Sequence, residues 1–251
     1  MRVSKKKKRK DRISTLVSLI VVALLVLGSI FQNEIVDFIN KVLPDSLALP
    51  TYYSYSLDEI PEYSGNNYVV IDNNVPNFNE NDINTNSFEV YSELDVLNRC
   101  GIAYANISKD IMPTEERGTI GSVKPSGWHT VKYSIIDGKY LYNRCHLIGY
   151  QLAGENANPK NLITCTRQMN TIGMLEFENK VANYVKKTNN HVLYRVTPIF
   201  YDKELVARGV QMEALSVEDN GRGIKFNVFV YNVQDGIEID YSTGESKLIN
   251  K

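Results

Sequence analysis

The stretch Asn143-Arg144-Cys145-His146 decides the fold expected of this chain, because it ends an apolar run and is followed by a loop and a second short run. The loop is rich in Gly, Asn and Pro, and the run Leu162–Thr166 predicts a return strand. Across residues 170–187, apolar residues recur at helical spacing, which predicts an amphipathic helix with Asn170 in its first turn. The sequence therefore predicts a strand–strand–helix unit that contains both His146 and Asn170.

Further strands are predicted on both sides of this unit. Upstream, Asp137-Gly138 is a strong hairpin signal between residues 130–136 and 139–143, and the second of these runs leads to His146. Downstream, three strand-like runs separated by turn residues resemble an antiparallel meander, at residues 192–199, 205–214 and 225–233. The remaining predicted elements are strands at residues 68–71 and 100–105 and a short helix at residues 91–97. We therefore expect an α+β fold with an antiparallel β-sheet core.

Charge is distributed very unevenly along the chain. The formal net charge of the 251 residues is −1, but the first twelve residues carry +7, which leaves −8 for residues 13–251. Tight tracking of nucleic acid by bulk electrostatics needs a basic surface that releases counterions. The acidic body argues against a protein of that kind, whereas an enzyme needs only a local basic patch.

The amino terminus predicts a membrane anchor. Residues 13–31 form a nineteen-residue stretch without a charge, and at about 1.5 Å per residue this stretch nearly crosses a roughly 30 Å hydrocarbon layer. The basic block before it places residues 1–12 in the cytoplasm by the positive-inside rule. A cleaved signal peptide is the alternative, for which Leu27-Gly28-Ser29 is a weak cleavage site. We expect a stalk at residues 32–66 and one extracellular domain at residues 67–251.

The three cysteines, Cys100, Cys145 and Cys165, are too few for a disulfide scaffold, and their odd number leaves at least one unpaired in a monomer. The sequence leaves open whether Cys100 pairs with either of the others. A structural zinc site formed by Cys145, Cys165 and a histidine is one alternative, although the spacing matches no compact zinc module.

The residues around His146 can form a one-metal phosphodiesterase site. A histidine titrates near pH 6.5 when unperturbed, so a neutral His146 can take a proton from water. Mg²⁺ prefers oxygen ligands and keeps several of its waters, so the carboxamide oxygen of Asn170 is an adequate ligand. Arg144 is expected to bind a phosphate oxygen, Asn161 to orient the histidine or a metal-bound water, and Glu178 to hold a metal-bound water.

Each of these residues also has an ordinary structural interpretation. Asparagines cap helices and form turns, and an arginine in a strand commonly faces solvent. His129 and His191 have no such partners in the sequence, and we interpret both as structural.

These motifs resemble the DNA/RNA non-specific endonuclease family, the ββα-metal or His-Me finger group, over about residues 67–246. The family signature Asp-Arg-Gly-His is matched by Asn143-Arg144-Cys145-His146. The resemblance continues through Asn158-Pro159-Lys160-Asn161-Leu162, Thr166-Arg167-Gln168-Met169-Asn170 and Phe177-Glu178-Asn179-Lys180-Val181. It implies that His146 is the general base, that Asn170 is the direct Mg²⁺ ligand, with Mn²⁺ as the alternative ion, and that Arg144 and Asn161 support the site. It also implies cleavage of DNA and RNA to 5′-phosphate ends, with Glu178 near the water shell of the metal.

Two residues depart from the family signature. Asn143 replaces the usual acid and Cys145 replaces glycine, from which we expect an altered rate or pH optimum.

Several cations near the motifs are expected to bind substrate. They are Arg117, Lys124, Lys160 and Arg167, together with Arg144. The alternative function is a membrane-bound DNA receptor for uptake that kept the fold and lost turnover.

Overall fold

The computed structural model describes residues 57–249 of the chain. The predicted basic tail, the membrane segment at residues 13–31 and most of the stalk lie outside these residues. In the part that is described, no helix is both long enough and apolar enough to cross a membrane.

An antiparallel sheet is the centre of the domain. In chain order, the strands of the described residues are β1 (Tyr68–Val70), β2 (Phe88–Tyr91), β3 (Ala103–Ile107), β4 (Tyr142–His146), β5 (Leu162–Thr166), β6 (Val192–Ile199), β7 (Gly209–Ser216), β8 (Lys225–Tyr231), β9 (Ile237–Ile239) and β10 (Ser246–Leu248). Six of them form one sheet in the order β1-β8-β7-β6-β3-β2, with antiparallel pairing throughout. The predicted meander is confirmed as β6, β7 and β8, and the predicted α+β class with an antiparallel core is confirmed.

The predicted amphipathic helix is present, but its first turn is wider than an α-helix. A π-helical turn, Met169–Met174, leads into α2 (Leu175–Thr188), and a short helix, α1 (Tyr150–Ala153), lies in the loop after β4. The apolar stripe of α2 is buried in the main core, where it packs with side chains of the central strands. The helix ends at Thr188, and the following residue, Asn189, adopts the left-handed conformation and donates its N–H to the Val185 carbonyl.

The strand–strand–helix unit is formed by β4, β5 and the helix that follows them. β4 pairs with β5 in an antiparallel ribbon that places His146 opposite Leu162. A disulfide between Cys145 and Cys165 links the two strands. This bond rules out the zinc alternative, because the two thiolates that it required are joined to each other.

The predicted hairpin over residues 130–143 is wrong only in the length of its ladder. The turn at Gly138 has φ of 71° there, Lys132 and Tyr140 form an antiparallel bridge, and the N–H groups of Tyr133 and Leu141 donate to the carbonyls of Lys139 and Val131 over 2.8 and 3.1 Å. Ile136 is instead buried in a small cluster with Leu141, Tyr142 and Ile237. Ile136 thus packs into this cluster from within the turn, and the ladder begins at Tyr133 and Lys139.

The predicted helix at residues 91–97 is also wrong. β2 ends at Tyr91, and a turn follows in which the Asp95 carboxylate accepts hydrogen bonds from the N–H groups of Leu97 and Arg99. This local capture of backbone donors competes with helix formation. Val96, in the middle of the expected helix, is 98% exposed.

The folded unit begins before residue 67, where the stalk was expected to end. Ile60 is buried with Phe229 and Tyr231, and Leu57 and Tyr63 pack against the same group. Tyr231 also donates a hydrogen bond to the carbonyl of Pro61. Residues 57–66 therefore belong to the domain and not to a linker.

Candidate active site

A pocket of about 370 Å³ lies between the end of β4, the loop before it and the helix that follows β5. Its lining includes His146 and Asn170, the two residues on which the expected chemistry depends. It also includes Arg117, Arg144, Gly149, Tyr150, Gln151, Thr171, Leu175 and Glu178. The structure thus brings together five of the residues that the sequence indicated.

His146 is the last residue of β4 and is 6% exposed. Its Nε2 lies 2.7 Å from the Asn156 carbonyl oxygen, which can only accept, so Nε2 carries the proton. Nδ1 therefore keeps its lone pair, and Nη2 of Arg117 donates to it over 3.3 Å. Burial lowers the pKa of His146, the Arg117 charge lowers it further, and the Asn156 carbonyl opposes them. The imidazole is thus neutral at physiological pH and has a defined basic nitrogen.

Asn170 lies in the π-helical turn, a feature often found at functional sites. The wide turn allows Asn170 and Leu175, five residues apart, to line the same pocket. The Asn170 carboxamide forms no hydrogen bond with any other group of residues 57–249. Its oxygen is therefore available to a ligand.

Glu178 extends from α2 into the pocket and packs directly against Gly149. A Cβ at Gly149 would lie 2.6 Å from Glu178 Oε2, so only glycine permits this approach. Burial raises the pKa of Glu178 to about 7, and a hydrogen bond from Gln151 and the charge of Arg117 oppose this rise. Because burial disfavours the charged form of this carboxylate, a nearby cation would stabilise that form.

The oxygen donors of this pocket fit a hard, hydrated cation. Asn170 offers a carboxamide oxygen without a partner, and Glu178 offers a desolvated carboxylate. No group of three or more His, Cys, Asp or Glu side chains suited to a metal occurs in the described part of the chain. Mg²⁺ is commonly bound through one or two protein oxygens and keeps several of its waters. This donor set therefore suits Mg²⁺ better than it suits a metal such as structural Zn²⁺, whose ligands all come from the protein.

Arg144 lines the pocket, but its guanidinium is largely engaged elsewhere. Nε donates to the Val123 carbonyl and Nη2 donates to the Gly121 carbonyl over 3.0 Å. The guanidinium carbon lies 3.9 Å from the ring centroid of Trp128. The expected phosphate-binding role of Arg144 therefore competes with contacts to the preceding loop.

Asn161 is fully buried and does not line the pocket. Its Oδ1 accepts from the Ile148 N–H over 2.9 Å, and its Nδ2 donates to the Ile148 carbonyl over 3.0 Å. Its influence on the site is therefore indirect, through the backbone two residues after His146. That Asn161 orients a metal-bound water stays a prediction without a geometric basis in these contacts.

The other predicted cations lie outside the pocket. Lys160 pairs with Glu93, and Arg167 pairs with Asp137 over 2.9 Å, whereas Lys124 is an exposed loop residue. Each of these pairs is partly exposed and weakly stabilising, so neither prevents the cation from reaching a longer substrate.

The two remaining histidines make contacts typical of structural residues. His129 Nε2 lies 3.0 Å from the Thr243 carbonyl oxygen, and His191 Nδ1 lies 2.7 Å from the Glu218 carboxylate. Neither lines the pocket of His146.

Sequence reasoning missed five residues of the pocket, Gly149, Tyr150, Gln151, Thr171 and Leu175. Gly149 follows His146 by three residues, but its contact with Glu178 connects elements that only the tertiary fold brings together. Leu175 enters the pocket because of the π-helical turn, for which the sequence shows no signal.

The family of the chain follows from comparison with known proteins. Residues 76–218 match the family model described as DNA/RNA non-specific endonuclease. The chain belongs to this family. Membership classes it as a nucleic-acid hydrolase.

Related proteins are consistent with this membership. A deoxyribonuclease from Streptococcus dysgalactiae subsp. equisimilis is 28% identical over 197 residues, which span 62% of this chain and 59% of that relative. NucA from Streptococcus agalactiae, solved with a magnesium ion bound, is 30% identical with a TM-score of 0.65, over 72% of this chain and 86% of NucA. The Sda1 nuclease, solved with a zinc ion bound, is 28% identical with a TM-score of 0.59, over 78% of this chain and 100% of Sda1.

Proposed function

We propose that this chain is a Mg²⁺-dependent endonuclease that hydrolyses phosphodiester bonds of DNA and RNA without sequence preference and leaves 5′-phosphate ends. The observation that supports it most is that the basic Nδ1 of a neutral His146 and the unpartnered carboxamide of Asn170 belong to one pocket. The family membership and the magnesium ion bound to the related NucA point the same way.

In the proposed reaction, His146 takes a proton from the attacking water through Nδ1. The Asn156 carbonyl fixes the ring orientation and holds the proton on Nε2, so the tautomer is correct before substrate arrives. The water oxygen bonds to phosphorus as the bond to the 3′ oxygen breaks on the opposite side. The leaving 3′ oxygen takes a proton from solvent water, and the phosphate stays on the 5′ side. Asn170 and Glu178 would hold Mg²⁺, which supplies the positive charge that stabilises the phosphorane and the leaving oxygen.

Arg117 has to move for this reaction to occur, because its Nη2 donates a hydrogen bond to Nδ1 of His146, the nitrogen that has to accept the water proton. A phosphate oxygen is a charged acceptor and forms a stronger hydrogen bond with a guanidinium than a neutral imidazole does. Arrival of the scissile phosphate would therefore draw Arg117 from Nδ1 to a non-bridging oxygen, which frees the base as the substrate binds.

We also propose that the domain lies outside the cell, tethered through residues 13–31 with residues 1–12 in the cytoplasm. The uncharged stretch and its basic flank support this topology. The Cys145–Cys165 disulfide adds support, since such bonds persist in oxidising compartments and are rare in the cytosol.

A plasmid assay tests the proposal and separates it from a DNA receptor. The full-length chain, purified in detergent, is incubated with supercoiled plasmid and Mg²⁺, with EDTA, or as His146→Ala. We expect nicking and then degradation in the first reaction alone, with His129→Ala as a matched control that still cuts. A gel shift without cutting by the wild-type chain would favour the receptor. End labelling of the products and a parallel RNA digest test the 5′-phosphate ends and the substrate range.

A further inference from the structure

Arg144, the arginine of the Asn-Arg-Cys-His motif, uses most of its guanidinium group in contacts with the protein itself. Arg144 donates to the carbonyls of Gly121 and Val123, and its planar face lies against Trp128 at 3.9 Å. Two donors in a fixed fork and a stacked face use the features that distinguish arginine from lysine. The partners all belong to one stretch, residues 113–128, which we call the site loop.

The site loop is held at its far end by independent contacts. Ser126 donates to the Leu205 carbonyl over 2.6 Å, and its own carbonyl accepts from Thr164 over 2.8 Å. Trp128 packs against the cluster of Ile136, Leu141, Tyr142 and Ile237, which includes a residue of β9. Arg144 thus joins β4 to a loop whose base is fixed in the core.

The same loop carries Arg117 into the pocket. Arg117 lies four residues before Gly121, and its Nη2 contacts Nδ1 of His146 at 3.3 Å. The loop between them consists of turns and bends without a helix or strand. Around Arg117, Tyr150 donates to the Glu115 carbonyl over 2.8 Å and Asn156 donates to the Thr119 carbonyl over 3.4 Å. The bonds from Arg144 to Gly121 and Val123 join the following part of the loop to β4.

We propose that Arg144 is a positioning residue that anchors the site loop, so that the phosphate contact described under the proposed function is made by Arg117 and not by Arg144. This inference rests on the proposed function, and it changes the role that the sequence assigned to Arg144. The two arginines then differ in a measurable way, because only a cation bound to phosphate displaces counterions from the nucleic acid.

Salt dependence of binding separates the two roles. Binding of a labelled DNA duplex is measured at several salt concentrations in an inactive His146→Ala background, with Arg117→Gln and Arg144→Gln as matched variants. Each lost phosphate contact lowers the slope of log K against log salt by about 0.9 for duplex DNA. We expect that loss for Arg117→Gln and no further loss when Arg144→Gln is added to it, because Arg144 affects binding only through the loop that carries Arg117. A slope that falls by about 1.8 in the double variant would show that both arginines contact phosphate and would overturn the inference.

Lysine variants provide a second test that does not depend on the glutamine variants folding well. Lysine can meet a phosphate as a point charge, but it cannot reach two carbonyls and stack on an indole at once. We expect Arg144→Lys to lose kcat/KM on the order of 100-fold, as for a misplaced catalytic group. We expect Arg117→Lys to retain more activity than Arg144→Lys. The reverse order would contradict the proposed division of roles.

The fluorescence of Trp128 makes failure of this inference distinguishable from failure of the proposed function. It is the only tryptophan in the chain, so the emission comes from the ring on which Arg144 stacks. We expect a shifted emission spectrum for Arg144→Gln and not for Arg117→Gln, whether or not the chain cuts nucleic acid. An unchanged spectrum in Arg144→Gln would refute the anchoring role, while absence of cleavage by the wild-type chain would refute the nuclease.

Discussion

Reduction of the Cys145–Cys165 disulfide is expected to destabilise the domain, because this bond closes the loop that contains the candidate base. The two cysteines are 20 residues apart, and the segment between them includes His146, Asn156 and Asn161. For a closed loop of this length, the entropy removed from the unfolded chain amounts to about 3 kcal/mol. In a domain of this size, a change of that magnitude lowers Tm by roughly 6–12 °C.

Thermal unfolding of the full-length chain, followed by circular dichroism with and without a thiol reductant, measures this effect. Alkylation and mass measurement establish that the bond is reduced. Cys100→Ala should remain sensitive to the reductant, because Cys100 is a buried free thiol outside the bond. The double variant Cys145→Ala, Cys165→Ala should be insensitive to it. Complete reduction with a shift in Tm below about 2 °C would show that the cross-link does not stabilise this loop in the way the chain-entropy argument requires.

Three further outcomes are expected. In the proposed reaction His146 acts unprotonated, and its pKa is lowered, so the acid limb of kcat/KM should lie below pH 6.5 and Arg117→Gln should move it to higher pH; a limb above pH 6.5 in the wild type would contradict this. Gly149→Ala should displace the Glu178 carboxylate and weaken Mg²⁺ binding about 10- to 100-fold in titration calorimetry, whereas Gly121→Ala, where an added Cβ meets nothing within 4 Å, should not. Asn161→Ala should cost about 1–3 kcal/mol for each polar group left unpaired at Ile148, seen in denaturant unfolding; equal stability to wild type would refute this.

The elements predicted correctly from sequence are those whose signals are local. Residues 192–199 are rich in the apolar and β-branched residues typical of a buried strand, and β6 occupies that range. The helical stripe after Asn170 specified α2, since the spacing of apolar residues determines which face can be buried. The expected helix at residues 91–97 failed because of competition, since the Asp95 carboxylate captured backbone donors that a helix would have used.

The residues of the candidate site also fall into those that local sequence predicted and those that only tertiary contacts reveal. His146, Asn170 and Glu178 were found because residue type and spacing already determine what they can do, and the pocket contains all three. The partners of Arg144, the contact of Arg117 with the imidazole and the pairing of Cys145 with Cys165 involve segments far apart in sequence. A single sequence contains no information on which of several equally suitable partners a side chain will meet.

The central claim is that His146 and Asn170 have separate roles in one pocket, the first as base and the second as metal ligand. The most direct test is calorimetric titration of Mg²⁺ into the wild-type chain, His146→Ala and Asn170→Ala, with plasmid cleavage measured on the same samples. We expect His146→Ala to bind Mg²⁺ as the wild type does and fail to cut, and Asn170→Ala to fail at both. Near-wild-type cleavage by Asn170→Ala across Mg²⁺ concentrations, or loss of Mg²⁺ binding in His146→Ala alone, would contradict the account.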